Sequence, residues 1–314
     1  MIAIEIESLT KKYGKVNALD GLNLEVKQGS VFGFLGPNGA GKTTTLRILA
    51  GLATPNGGRV SIFGGRCSNK LPVPSKDIGY LPEDPAFYPW MTPLEYLHYI
   101  GQIFNIDKNT RSLRTMELLT LTGLSEVSRR HIGGFSRGMR QRLGLAQALI
   151  GEPKILLLDE PVSALDPSGR KEILELIAGL GKERTVLMSS HILADVEKVC
   201  DTIGVINKGK LVKQSLKLDL MNTYVNPTLE LEVGSDMVQQ ILEWKQRFEK
   251  MANVTGVSTE GATLRISVRD VRLAQSEILQ ELLSKKASFD RFEVVKPSLE
   301  DVFLQLINGK EARA

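Results

Sequence analysis

Near the amino end, Ile2, Ile4 and Ile6, and then Leu22, Leu24 and Val26, alternate with polar neighbours. A period of two marks strands buried on one face. The two runs meet through the turn-forming stretch Tyr13-Gly14-Lys15, so they predict an antiparallel ribbon. From Val31 the pattern changes to short continuous apolar runs, VFGFL, ILLLD and TVLMS, separated by helical stretches. Strands buried on both faces of an α/β sheet read this way, and a mostly parallel sheet is expected. Between VFGFL and ILLLD lies a helical insertion, a subdomain over about residues 84 to 150. Its first helix is announced by Thr92 as cap, Pro93 at the first helical position and Glu95 completing a capping box. A second helix is expected over roughly Arg111 to Thr122.

The pattern shifts again after Met221, through Asn222 to Pro227. A strand TLELEV is followed by a helix near Asp236 to Ala252, with apolar Val238, Ile241, Leu242 and Phe248. Two strands then turn at Glu260-Gly261, a helix covers Asp270 to Lys285, and a last strand lies within Phe289 to Val295. The order β-α-β-β-α-β is that of a ferredoxin-like unit, and Ser298-Leu299-Glu300-Asp301 opens a terminal helix reaching about Ile307. The expected fold is therefore an α/β domain, residues 1–221, with a smaller C-terminal α+β domain, residues 222–314.

Composition adds limits. With 314 residues, 42% hydrophobic and 24% charged, the chain matches ordinary globular proteins and not disordered, collagenous or coiled-coil classes. Two domains suit the length. Apolar runs such as Ile155 to Leu158 fall far short of the roughly 18 residues of a membrane span, and no signal-like segment opens the chain. A soluble cytoplasmic protein is expected. A net charge of +4 implies no nucleic-acid surface. Cys67 and Cys200 form no CxxC or Cys/His cluster, so they read as small buried hydrophobes in a reducing compartment.

The candidate chemistry begins at Gly36-Pro37-Asn38-Gly39-Ala40-Gly41-Lys42-Thr43, which fits GxxxxGK[ST] and is followed by Thr44. The loop follows VFGFL and opens a helix carrying Leu46, Ile48 and Leu49, so its N–H groups and the positive helix end converge where a triphosphate can sit. Lys42 is assigned to the β- and γ-phosphates and the Thr43 hydroxyl to Mg²⁺. Asp159 ends the strand ILLLD, at the sheet edge where open α/β sheets bind ligands, and supplies a hard carboxylate for the metal. Glu160 follows directly and is the candidate water-orienting base.

With these pieces in place, the chain resembles the nucleotide-binding subunits of ABC transporters over about residues 2 to 215. Phe135-Ser136-Arg137-Gly138-Met139-Arg140-Gln141-Arg142 looks like the family signature LSGGQ-x-QR. Ser136 offers a hydroxyl and Gly138 a bare N–H at a helix start, a second anion site. The resemblance implies that this half-site meets the phosphate loop of a second nucleotide-binding subunit, in a head-to-tail dimer closing on two ATP. It implies further that Tyr13 stacks on adenine, that Asp166 of Ser163-Ala164-Leu165-Asp166 contacts the opposite subunit, and that His191 contacts the γ-phosphate. His98 and His131 read as solvated or structural. Where the family most often has Gln, Gly79-Tyr80-Leu81-Pro82-Glu83 places Glu83 as the sensor of Mg²⁺ and water. Arg137 and Met139 replace a Gly and a Gln of the signature.

The ending Lys296-Pro297-Ser298-Leu299-Glu300-Asp301-Val302-Phe303-Leu304 looks like the tail of bacterial ABC-2 exporter ATPases. Pro85, Phe87, Tyr88, Pro89 and Trp90 lie where such subunits receive a short helix of the membrane partner; an aromatic patch suits either that interface or burial within the helical subdomain. The resemblance thus implies an ATPase, peripheral on the inner face of the membrane, that drives a separate transmembrane permease. A soluble ABC-type machine acting on ribosomes, nucleic acid or cofactor assembly shares this chemistry, but the single nucleotide-binding domain and the absence of a coiled-coil insertion weigh against it. A GTPase is disfavoured because Asn207-Lys208-Gly209-Lys210 lacks the Asp of an NKxD motif. The C-terminal domain carries no chemical motif, and a regulatory or dimer-stabilising role is expected of it.

Overall fold

The computed structural model describes residues 1–66, 76–163, 165–223, 228–234, 240–285, 287–295 and 299–307. Cys67, Ala164, Val238 and the segment Lys296-Pro297-Ser298 lie outside them, as do the side chains of Asp301 and Leu304. Contacts divide the chain into two compact units, residues 1–217 and 218–314. Among the described residues no helix is long and apolar enough to cross a membrane.

In the first unit, β1 (Ile2–Tyr13) and β2 (Val16–Lys27) form an antiparallel ribbon. Ile4, Ile6, Leu22, Leu24 and Val26 turn inward, none more than 2% exposed. Ile2 departs from the alternation: a register shift between Ile2 and Ile4 buries Ala3 and leaves Ile2 37% exposed. A bulge changes the parity of every position before it, which alternation alone does not disclose.

β3 (Val31–Leu35), fully buried, leads into α1 (Lys42–Leu49). β4 (Gly57–Ile62) returns to pair with β1, and β5 (Gly65–Arg66) pairs with β4. β6 (Ile78–Leu81) precedes the helical insertion, which holds α2 (Pro93–Ile103), α3 (Lys108–Leu121) and α4 (Arg137–Leu149). The capping box of α2 forms as the sequence indicates: Thr92 Oγ1 accepts from the Glu95 N–H at 3.2 Å, and Glu95 Oε2 accepts from the Thr92 N–H at 2.8 Å. Helix α3 starts earlier than Arg111 because Asp107 caps it, accepting from the N–H groups of Asn109 and Thr110. Its first turn, Lys108-Asn109-Thr110, carries no apolar residue to announce it.

β7 (Ile155–Asp159), α5 (Pro167–Leu180), β8 (Thr185–Ser190), α6 (Leu193–Val199), β9 (Thr202–Asn207) and β10 (Lys210–Leu216) complete the unit. The main sheet runs β10-β9-β3-β8-β7-β6, parallel throughout except for the antiparallel edge strand β10. Its register sets Leu35 beside Ser190 and Asp159 beside Ser189, so the residues following β3, β7 and β8 emerge together at one carboxyl edge.

Helices α5 and α6 are joined there by a two-pronged ion pair. Arg170 Nε and Nη2 lie 2.7 and 2.6 Å from Asp195 Oδ1 and Oδ2, and the Asp195 side chain is 2% exposed. Removing the cation strands a buried carboxylate. Arg170→Ala is therefore expected to lose about 3 kcal/mol and to lower the melting transition of this unit by roughly 6 to 12 °C in calorimetry. An unchanged transition would mean that the pair does not fix α6 to α5.

The second unit contains α7 (Lys217–Thr223), which begins at the boundary residue, then β11 (Thr228–Val233), α8 (Ile241–Glu249), β12 (Val254–Glu260), β13 (Thr263–Val268), α9 (Val271–Ser284), β14 (Phe289–Val295) and α10 (Leu299–Ile307). The antiparallel sheet is ordered β12-β13-β11-β14. Leu229, Leu231, Val233, Leu264 and Ile266 pack against Trp244, Phe248, Ile278 and Leu282. Leu242 is not part of that core. It is 64% exposed, and Trp244, three residues after Ile241, takes the inward place, as helical periodicity requires.

Candidate active site

The loop after β3 is shaped by close backbone approach. A Cβ on Gly36 would stand 2.4 Å from the Ile206 carbonyl oxygen, and one on Gly41, whose φ is +114°, 2.6 Å from that of Ala18. Side chains at either position would push the loop off β9 and β2. Gly41 is the N-cap of α1 and offers no side chain to the first helical N–H groups; those donors and the helix dipole are left to an anion.

Lys42 is 7% exposed. Its ammonium donates to the Gly36 carbonyl at 2.7 Å and lies 3.8 Å from Glu160 Oε1. Burial pulls the Lys42 ammonium below its usual pKa, against the raising pull of Glu160, Asp159 and Glu83. Thr43 Oγ1 donates to Asp159 Oδ1 at 3.2 Å. Asp159 is fully buried, and burial pushes its carboxyl up while hydroxyl bonds from Ser189 and Thr43 oppose the shift. Its other oxygen, Oδ2, is buried and has no hydrogen-bond partner among the described residues.

An unpartnered carboxylate oxygen beside a hydroxyl is a donor set suited to a hard cation. Among the described residues no three His, Cys, Asp or Glu side chains converge as an all-protein cage. A cation held here would draw the rest of its shell from water and phosphate, as Mg²⁺ usually does.

Glu160, next in sequence, points elsewhere. Its Oε2 lies 2.8 Å from His191 Nδ1, an N–H donor when the carboxylate is ionised. The residue has φ +48°, and its N–H donates to Ser189 Oγ at 3.0 Å. The same Ser189 hydroxyl donates to Asp159 Oδ1 at 2.6 Å. Sequence reasoning passes over Ser189, because TVLMSS reads as an apolar strand; only the register of β8 against β7 brings it to the two carboxylates.

A cleft of about 480 Å³ is lined by loop residues 38–44, Glu83, Glu160 and His191, with Val16 and Ala18 from the ribbon. Tyr13 is not in that lining. It is 48% exposed at the ribbon turn, with Lys11 Nζ 4.9 Å from its ring, while its strand partner Val16 does face the cleft. Ser136, Gly138 and Asp166 also lie outside the lining. Ser136 Oγ caps α4, accepting from the Met139 N–H at 3.2 Å, and Asp166 precedes α5 without a side-chain cap bond. Arg137 Nη2 lies 3.2 Å from Asp84 Oδ1, both side chains well exposed.

A second cavity, about 450 Å³, is lined by Pro85, Phe87, Pro89, Arg140 and Gln141 among others. Gln141 is 2% exposed, and its Nε2 has no partner among the described residues. Phe87 meets Tyr96 edge to face at 5.0 Å, whereas Tyr88 and Trp90 are 44% and 68% exposed.

The chain is similar to known proteins along most of its length. The family described as ABC transporter matches residues 19–163, and the C-terminal domain described as ATP-binding protein DrrA1-3-like matches residues 218–307. An ABC transporter ATP-binding protein of Bacillus subtilis is 38% identical over 307 residues, covering 98% of this chain and all of that protein. The bacitracin transport ATP-binding protein of Bacillus licheniformis is 37% identical over 309 residues, covering 98% and 97%. The linearmycin resistance ATP-binding protein of Bacillus subtilis is 31% identical over 309 residues, covering 96% and 97%. Among solved structures, a dimeric ATP-binding cassette in a post-hydrolysis state, bound to ADP and phosphate, superposes with a TM-score of 0.63 at 27% identity, over 68% of this chain and 98% of that one.

Proposed function

Because the chain belongs to the ATP-binding subunits of ABC transporters, we propose a division of labour among the residues of its cleft. As a member of that family it binds and hydrolyses ATP and drives a membrane permease. Lys42 holds the β- and γ-phosphates, with the loop N–H groups of Asn38 to Thr44 around them. Glu160 orients and deprotonates the attacking water, and His191 meets the γ-phosphate. The observation that carries this reading is the Glu160 carboxylate, 2.8 Å from His191 and 3.8 Å from Lys42, at the edge of the loop-lined cleft.

Thr43, Asp159 and Glu83 are proposed to hold Mg²⁺; its chemistry there is to neutralise charge on the phosphate oxygens. Tyr13 stacks on adenine from the ribbon turn beside Val16. Ser136 and Gly138 act in trans: they do not line the cleft of their own chain, as a head-to-tail dimer closing on two ATP requires. Asp166 contacts the opposite subunit. The DrrA-like match and the relatives named for bacitracin transport and linearmycin resistance favour export, with the cargo selected by the permease. The cavity lined by Pro85, Phe87 and Pro89, with exposed Tyr88 and Trp90 beside it, is the proposed permease contact of a subunit peripheral on the inner face of the membrane.

Affinity purification from gently solubilised native membranes tests the transport reading. A polytopic membrane protein is expected in stoichiometric amount, with a severalfold lower yield for Trp90→Ala. Recovery with ribosomes or nucleic acid, or with no partner, would remove transport while leaving the ATP chemistry in place.

A further inference from the structure

We propose that Ser189 is a positioning residue that sets both carboxylates of the site from a single hydroxyl. This rests on the roles given above to Asp159 and Glu160. Ser189 is fully buried on β8, directly beside Asp159 of β7 in parallel register. Its O–H donates to Asp159 Oδ1 at 2.6 Å, and its oxygen accepts from the Glu160 N–H at 3.0 Å. The hydroxyl's one proton and one of its lone pairs are thereby engaged.

Each bond has a consequence for geometry. With Ser189 and Thr43 both donating to Oδ1, the Asp159 carboxylate keeps Oδ2 as its one unpartnered oxygen, the atom left to meet a cation. Glu160 stands at φ +48°, a left-handed conformation that residues other than glycine adopt rarely. Anchoring its N–H holds that turn, and the turn sends the Glu160 side chain to His191 while Asp159 stays with Thr43. Two adjacent carboxylates thus keep separate tasks. Groups that orient a metal ligand without touching the metal commonly change affinity or rate by about 10- to 100-fold when removed.

The test is Ser189→Ala in the full chain, with Ser189→Thr as the hydroxyl-retaining control. For Ser189→Ala, kcat is expected to fall about 10- to 100-fold with the KM for ATP little changed. The Mg²⁺ concentration that half-saturates binding of a fluorescent non-hydrolysable ATP analogue is expected to rise roughly 10-fold. Ser189→Thr should recover most of both. Without any nucleotide or metal, amide hydrogen exchange should show the Glu160 N–H protected in the wild-type chain and faster in Ser189→Ala.

A Ser189→Ala protein within twofold of wild type in kcat and Mg²⁺ requirement overturns the proposal. So does rapid exchange of the Glu160 amide in the wild-type chain, a result that does not depend on the variant folding. The underlying roles fail separately: wild-type hydrolysis by Asp159→Asn or Glu160→Gln would refute them, whereas an inactive Glu160→Gln beside an active Ser189→Ala would refute Ser189 alone.

Discussion

Glu160→Gln is expected to lower steady-state ATP turnover by about 10²- to 10⁴-fold, the range attributed to a positioned general base. The substitution keeps the shape of the side chain and an oxygen that can accept from His191 Nδ1, now 2.8 Å from Oε2. What it removes is the carboxylate's capacity to take a proton from water. Nucleotide affinity should hold or improve, because one negative charge leaves a cleft that also contains Glu83 and must accept a triphosphate. Phosphate release and an equilibrium nucleotide titration on the same sample separate the two effects. Turnover equal to wild type would take Glu160 out of the chemistry.

Lys42→Ala acts on binding instead. Its ammonium is buried, tethered to the Gly36 carbonyl at 2.7 Å and balanced by Glu160 at 3.8 Å. Burial disfavours that charge, and the carboxylates nearby sustain it; phosphate oxygens add to the same support. A hydrogen bond to a charged group contributes about 1.5 to 3 kcal/mol, so ATP affinity should fall roughly 10- to 100-fold. Glu160 would also lose the Lys42 ammonium beside it. Titration with a fluorescent ATP analogue reads the loss directly, and an unchanged dissociation constant would contradict the assignment of Lys42 to the phosphates.

Legibility in the sequence follows the range of the interactions. The loop from Gly36 to Thr43, the capping box at Thr92 and the order of elements in the second unit are local patterns, and each is readable from neighbours in the chain. Strands β4 and β6 are not: β4 opens with Gly57-Gly58 and β6 is four residues long, and tertiary pairing decides both. Ile2 and Leu242 mislead for different reasons. A bulge reverses the parity of Ile2, while Leu242 sits beside an inward position without sharing it, and Trp244 fills the core. Ser189 is hidden more deeply, since its significance arises from which residue of β7 lies beside it. Tyr13, Ser136, Gly138 and Asp166 carry family patterns but do not line the cleft of their own chain; the proposed dimer is what would give Ser136, Gly138 and Asp166 their roles.

Two copies of this chain are proposed to close head-to-tail on two ATP. Sedimentation velocity of Glu160→Gln, with and without ATP and Mg²⁺, tests it most directly, because slowed hydrolysis preserves the closed state. Conversion from monomer to a dimer holding two ATP, abolished by Lys42→Ala and weakened by Ser136→Ala, is the expected result. A Glu160→Gln protein that binds ATP at full occupancy and remains monomeric would contradict the head-to-tail closure on which the motor depends.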